Sequence, residues 1–259
     1  MRTLALIGAC VLVTGAAFGS KVCPNCGRTY GDESNICETC FPMTYLRVAG
    51  ETKGLYIWLA EDKNDRIYKI EPGTGRTVKV FASPGNEPRG LAWDGNYLWN
   101  ADAEDDKVYR INPANGRVIG SFDSPGEDPT GLTWDGAFLW HVDDYDDAIY
   151  QIDSSNGFIK KRLPAPMHAP KDLAWDGTYL WVVDGSYYQL CRVNTETGGY
   201  GNVFGTPERV AWGLGWGAAC LWSVDRADGI IYQIDPNDGR VEHSFNSGVA
   251  NTQGLAIEE

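Results

Sequence analysis

A dipeptide that returns at a fixed interval constrains this chain more than any other feature. Gly-Leu begins at Gly90, Gly131, Gly213 and Gly254, and Asp172-Leu173 takes its place once, so the motif recurs every 41 residues. A period in this range identifies a repeat architecture, in which each unit is one supersecondary motif stacked on its neighbours. Within one unit, four short runs are rich in aromatic and β-branched residues: Leu91–Trp93, Tyr97–Ala101, Val108–Asn112 and Arg117–Phe122. Runs of this kind, bounded by Gly, Asn, Asp or Pro, read as strands. The separators Asp94-Gly95-Asn96 and Pro113-Ala114-Asn115-Gly116 have tight-turn composition, because Gly and Asn tolerate positive φ and Pro presets φ. No segment carries a helical apolar period long enough to compete. Four strands per unit, repeated without helices, predict an all-β fold of the β-propeller type.

The blade count follows from where the repeat is incomplete. One period before Gly90 the chain reads AGETKG (49–54) in place of GLAWDG, yet the other three strands of that unit are present at Tyr56–Ala60, Arg66–Ile70 and Arg76–Phe81. The missing strand reappears at the far end as Gly254–Ile257. A chain that starts one strand late and ends with that strand closes a ring, which removes the sheet edges that recruit other chains. Five four-stranded blades over residues 54–259, closed by the C-terminal strand, are therefore expected.

Ahead of the propeller the composition changes twice. Arg2 is followed by an uncharged run from Leu4 to Phe18 and small residues up to Gly19, which predicts a signal peptide over 1–19. The mature protein is then extracytoplasmic, with no membrane span after cleavage; a retained N-terminal anchor is the alternative. Two CxxC pairs follow, Cys23/Cys26 and Cys37/Cys40, separated by ten residues. Two knuckles that each present two thiolates fill a tetrahedron around zinc, and a segment this short has almost no apolar core without a metal. Residues 20–42 resemble a zinc ribbon of the rubredoxin-like knuckle type, whose zinc is structural, since four cysteines leave no open coordination position. Disulfides are the alternative that an oxidising compartment favours. Residues 43–53 link this module to the first blade.

Aligning the units in columns sorts the conspicuous residues. Trp58, Trp99, Trp140, Trp181 and Trp222 share one position in the second strand, and Trp93, Trp134, Trp175 and Trp216 share one in the first. Large flat side chains in these columns are expected to pack blade against blade, which leaves Trp212 as the tryptophan outside both. Cys191 and Cys220 replace Tyr or Phe of other units and read as buried free thiols rather than a disulfide. The net charge of −13 is concentrated in the turns between second and third strands, among them Asp102, Glu104, Asp105 and Asp106, and Asp143, Asp144, Asp146 and Asp147. Such a face repels nucleic acid and anionic membrane. Asp residues there either shape the turns through their own backbone or capture Ca²⁺ with carboxylates and turn carbonyls; the spacing is not that of an EF-hand loop.

Positions that differ from blade to blade carry the functional information. The residue before each Gly-Leu is Arg89, Thr130, Lys171, Trp212 and Gln253, and the residue after the second-strand Trp includes Asn100 and His141. Cationic, polar and aromatic groups in the first column suit a recognition site for a ligand with a carboxylate and a flat or sugar-like body: Arg offers a bidentate fork, Lys a point charge and Trp a stacking plane. Neutral variation on an exposed rim is the alternative. His141 is the one histidine placed to act as a base, yet no Ser, Cys or second His accompanies it in a matching column.

The "GLAWDG … LW … IYxID" units resemble the broad class of bacterial secreted propellers that includes lactonase-like and NHL-type members and the five-bladed type of glutaminyl-peptide cyclotransferase. The resemblance spans residues 54–259 and implies that the column before Gly-Leu opens onto the mouth of the central channel. Trp212-Gly213-Leu214 is similar to a WGL element of the cyclotransferase type. The acidic residue that type carries before a Gly-Leu strand is replaced here by Arg89, Thr130, Lys171 and Gln253, which argues against that activity. An exported, non-catalytic propeller that binds a protein, small-molecule or carbohydrate partner is the leading expectation. A channel-mouth enzyme, either a metal-assisted hydrolase or lyase or a cyclotransferase-like one, is the alternative, since one propeller fold hosts many functions.

Overall fold

The fold comes from a computed structural model that describes residues 21–22, 29–30, 54–207 and 211–259. The chain divides into two units, Met1–Glu51 and Thr52–Glu259. In the first, β1 (Lys21–Val22) pairs antiparallel with β2 (Thr29–Tyr30). The leader over 1–19 and the cysteines Cys23, Cys26, Cys37 and Cys40 lie outside the described residues.

The second unit is a propeller of five four-stranded antiparallel sheets. The first blade holds β3 (Tyr56–Glu61), β4 (Arg66–Glu71) and β5 (Arg76–Ala82). The second holds β6 (Pro88–Trp93), β7 (Leu98–Asp102), β8 (Lys107–Asn112) and β9 (Arg117–Asp123), and the third β10 (Pro129–Trp134), β11 (Leu139–Asp143), β12 (Ala148–Ile152) and β13 (Ile159–Pro164). The fourth holds β14 (Pro170–Trp175), β15 (Leu180–Asp184), β16 (Gln189–Val193) and β17 (Tyr200–Gly205). The fifth holds β18 (Ala211–Gly217), β19 (Cys220–Asp225), β20 (Ile230–Ile234) and β21 (Val241–Asn246). The last strand, β22 (Thr252–Glu258), crosses back to the first blade and pairs with β3 in the register Leu255↔Leu59 and Ile257↔Ile57. The ring closes as the interrupted repeat predicts.

Burial is graded from axis to rim. Every residue of β7, β11 and β15 is buried, whereas β9 is exposed along nearly its whole length. The core is divided among the seams between blades. One seam joins Ile57, Leu59 and Leu255 of the first blade to Trp222, Val224 and Ile231 of the fifth; another joins Trp99, Ala101 and Val108 to Leu132 and Leu139. Each aliphatic side chain so buried stabilises the ring by about 1.5–3 kcal/mol relative to exposure.

A local lock recurs where a unit carries the Trp-Asp-Gly sequence. Asp94 Oδ1 accepts the turn N–H groups of Asn96 and Tyr97, while Oδ2 accepts the indole N–H of Trp99 at 2.8 Å. Asp135 with Trp140 (2.7 Å) and Asp176 with Trp181 (2.9 Å) repeat it. The fifth blade has Gly217-Ala218 instead, and there Trp222 donates to the Gly217 carbonyl at 3.0 Å. In the first blade Glu258 takes over, accepting from Trp58 at 2.7 Å.

Candidate functional site

The Gly-Leu column explains the axis. Neighbouring inner strands β6, β10, β14, β18 and β22 touch all the way round. A Cβ on Gly90 would stand 2.5 Å from the Gly131 backbone, and one on Gly254 would stand 2.2 Å from the Arg89 carbonyl oxygen. Backbone therefore packs on backbone, and the layer has room for one side chain at its centre. Asp172 supplies it. Its Oδ1 accepts the N–H of Leu132 (3.2 Å) and of Leu173 (2.9 Å), and its Oδ2 those of Leu214 (2.9 Å) and Leu255 (3.3 Å). One fully buried carboxylate thus ties four blades together on the axis. Burial pushes its pKa well above the ordinary carboxylate value and the four donors oppose that. All four partners are N–H groups, so a proton on either oxygen would face a donor; the arrangement fits the ionised form.

The expected recognition column begins on the face that carries the turns between second and third strands. Three of its members join one network. Trp212 is half-buried, with Lys171 Nζ 5.0 Å and Arg226 Cζ 4.3 Å from its ring centre. Lys171 is ion-paired with Asp144, and Arg226 with Asp62 at 2.9 Å. Gln253 donates to the same Asp62 carboxylate, while its Oε1 is buried without a hydrogen-bond partner, as are Arg226 Nε and Arg89 Nε. Arg89 pairs with Glu87 of its own loop at 3.2 Å. Thr130 is buried and donates to the Val142 and Pro170 carbonyls. Arg226 escaped the sequence reading, although its column (Asp62, Ala103, Asp144, Gly185, Arg226) inverts charge in this unit alone.

Asn100 and His141 are not brought to the mouth. Both are fully buried between strands. His141 Nδ1 lies 3.0 Å from the Gly131 carbonyl and Nε2 3.3 Å from Ser124 Oγ, with the ring stacked on Tyr150. A carbonyl partner makes Nδ1 the protonated nitrogen, so Nε2 accepts from the serine. Burial lowers the His141 pKa to about 4, which keeps the ring neutral. Asn100 does the same work one blade earlier, donating to the Gly90 carbonyl and accepting from Ser83 Oγ.

The acidic turns show a division of labour. The carboxylates that end the second strands, Glu61, Asp102, Asp143, Asp184 and Asp225, are buried and accept backbone N–H groups of their own turns. Asp102, Asp143 and Asp184 also accept from the inter-blade loops at Glu87, Asp128 and Ala169. Burial is the main cause raising the pKa values of Asp102 and Asp143. Among the described residues no three His, Cys, Asp or Glu side chains gather as metal ligands. Cys191 is a buried free thiol and Cys220 a half-buried one, which exposes one of the two more than the column position implies.

The opposite end of the axis holds what the column argument passed over. Trp93, Trp134, Trp175 and Trp216 do pack in the seams, as expected, yet each is only half-buried. With Ile257 they surround a half-open cavity of about 70 Å³ on the axis. The signal was present in the sequence: a large apolar residue three positions after every Gly-Leu glycine, at the end of each inner strand.

No protein-family model and no curated protein sequence matches the chain. Among solved structures, a chain of a nidogen/laminin complex is similar at 14% identity over 80% of this chain and 99% of that one, with a TM-score of 0.55. The glutaminyl cyclase of Myxococcus xanthus is similar at 14% identity over 61% of this chain and 76% of that one, with a TM-score of 0.53. A virginiamycin B lyase from Staphylococcus aureus gives a looser likeness, 19% identical over 78% and 70%, at a TM-score of 0.49. Identities this low speak for the fold alone, and the fold is a five-bladed β-propeller.

Proposed function

We propose that this protein is an exported, non-catalytic binding propeller whose recognition site is the channel mouth around Trp212. The observation that carries the reading is the network joining Trp212, Lys171, Arg226, Asp62 and Gln253, in which Gln253 Oε1 and Arg226 Nε remain buried without partners. The cations Lys171 and Arg226 hold a carboxylate-bearing ligand, the indole supports a flat or sugar-like body, and Arg89 adds a further guanidinium on the same face. The burial and neutrality of His141 support a binding rather than a catalytic role for this mouth. Residues 20–42 act as a second module, held by zinc on Cys23, Cys26, Cys37 and Cys40; the β1–β2 hairpin that flanks the first CxxC pair is in keeping with such a knuckle.

Glucuronate, with glucose as its uncharged counterpart, tests the site. Glucuronate is expected to shift the Trp212 indole N–H resonance saturably and glucose to leave it in place. Trp212→Ala is expected to abolish glucuronate binding with little change in stability. A loss of about 3–5 kcal/mol in that variant, as for a core aromatic, assigns Trp212 to packing and overturns the reading.

A further inference from the structure

The second mouth of the channel carries an inference independent of the first. Arg89 and Trp93 lie near the two ends of β6 with three residues between them, which at roughly 3.3 Å per residue sets the two ends of the axis about 13 Å apart. The cavity at the second end is lined by Trp93, Trp134, Trp175 and Trp216 from four blades and by Ile257 from the fifth. Leu214 and Leu255 line it as well, and these are two of the leucines whose N–H groups hold Asp172 Oδ2. The axial carboxylate lies behind these leucines, not on the cavity wall. In an antiparallel pair the N–H and C=O of one residue leave the strand on the same side. The leucines that donate to Asp172 thus turn their carbonyl oxygens towards the axis too, one from each of four blades.

Carboxylates stand around the rim of the cavity. Trp93, Trp134, Trp175 and Ile257 are each followed in the chain by a carboxylate: Asp94, Asp135, Asp176 and Glu258. Lys69, Arg110 and Arg192 stand on third strands over the rings of Tyr56, Tyr97 and Tyr179, and Lys160 over that of Phe138; Lys69 also pairs with Glu258 at 2.6 Å and offsets that one carboxylate. We propose that this tryptophan-lined pit is a binding site for an organic cation, an alkylammonium group of the kind carried by an amine, a lysine side chain or a choline head. Indole faces attract such cations, inward carbonyl oxygens accept from a primary ammonium and turn their dipoles to a quaternary one, and the carboxylates at the rim add to the attraction. An anion is disfavoured by the same carbonyl dipoles and rim carboxylates, and a neutral molecule forgoes the electrostatic part of the attraction. The long-range field of a chain with net charge −13 favours capture of the same class.

The test compares cations with uncharged analogues of the same shape: choline against 3,3-dimethyl-1-butanol, and n-butylammonium against 1-butanol. Binding is read by calorimetry and by the indole N–H resonances. Each cation is expected to bind at least tenfold more tightly than its analogue and to move the resonances of Trp93, Trp134, Trp175 and Trp216 while leaving Trp212 unmoved. Trp134→Leu is expected to weaken choline binding by tenfold or more; if that variant does not fold, Trp175→Leu in the next blade and the wild-type resonance shifts decide. Equal affinity for the neutral analogues, no saturable binding of either cation, or shifts confined to Trp212 overturns the proposal. Failure of glucuronate to bind at the first mouth leaves this result untouched.

Discussion

His141 shows how one residue type serves structure in a position that suggests chemistry. It bridges the Gly131 carbonyl and Ser124, and Asn100 bridges Gly90 and Ser83 in the same way one blade earlier. The two differ in titration. The folded pKa of His141, about 4, lies below the ordinary 6.5, so the unfolded chain takes up this proton first as pH falls. The contribution is present in full above pH 6.5 and is lost as pH falls towards 4, reaching about 3 kcal/mol in all. His141→Asn is expected to fold at pH 7 within about 1–2 kcal/mol of the parent, since the bridging geometry survives. Relative to the parent it is expected to gain about 2–3 kcal/mol between pH 7 and pH 4.5, because groups common to both chains cancel. Urea unfolding at the two pH values measures this, and a difference that does not change with pH refutes it. Asp172 is the complementary case, a lone departure from a glycine column that supplies the side chain for the axis. Its four N–H partners make it the residue on which the register of blades three, four, five and one converges.

At the scale of elements, β22 is the strand on which closure depends. Thr252, Gln253, Leu255, Ala256 and Ile257 are buried, Leu255 bonds Asp172, and the whole strand pairs with β3. Deleting residues 254–259 exposes the β3 edge and uncovers the seam shared by Ile57, Leu59 and Trp222. Loss of the Leu255 and Ile257 burial alone removes about 3–6 kcal/mol, which for a domain of this size lowers the melting temperature by roughly 10 °C or more. A truncated chain that melts with the parent, followed by circular dichroism, contradicts the dependence on β22. Turns obey the same repeat logic. Asp65, Asp106, Asp147 and Tyr188 all hold positive φ at one column position, where the fifth blade has Gly229. Asp tolerates this conformation through its short polar side chain, whereas an exposed Tyr188 gains nothing comparable from it.

Over the whole molecule, acidity and metal content separate the structural from the functional reading. Buried second-strand carboxylates account for a fixed share of the charge through the backbone N–H groups they accept, and the exposed remainder keeps the surface negative. Purified protein is expected to carry about one zinc per chain, released by chelators together with four reactive thiols from the N-terminal module. Elemental analysis paired with thiol titration after unfolding measures both; an N-terminal segment without free thiols establishes disulfides instead. Calcium bound by the acidic turns would appear in the same inventory as metal beyond that one zinc.

The repeat and its interruption determined the fold class, the blade count and the closing strand, because period, strand composition and turn chemistry are local properties that a sequence displays directly. Strand ends were less legible. The first strand of the second blade runs from Pro88 rather than Leu91, since Pro, Arg and Gly have little strand preference and pair there only across a bulge that the crowded axis imposes. The column before Gly-Leu was correctly seen to vary, yet its members met different fates: Thr130 was absorbed into the axis by two carbonyls, whereas Trp212 was drawn between cations of two blades. The half-exposed tryptophan cup and the role of Asp172 emerged only from the tertiary structure. Periodicity shows that residues occupy equivalent places in their own blades, but ring closure alone makes those places converge on one axis, where a single carboxylate fits and four indoles share a cavity.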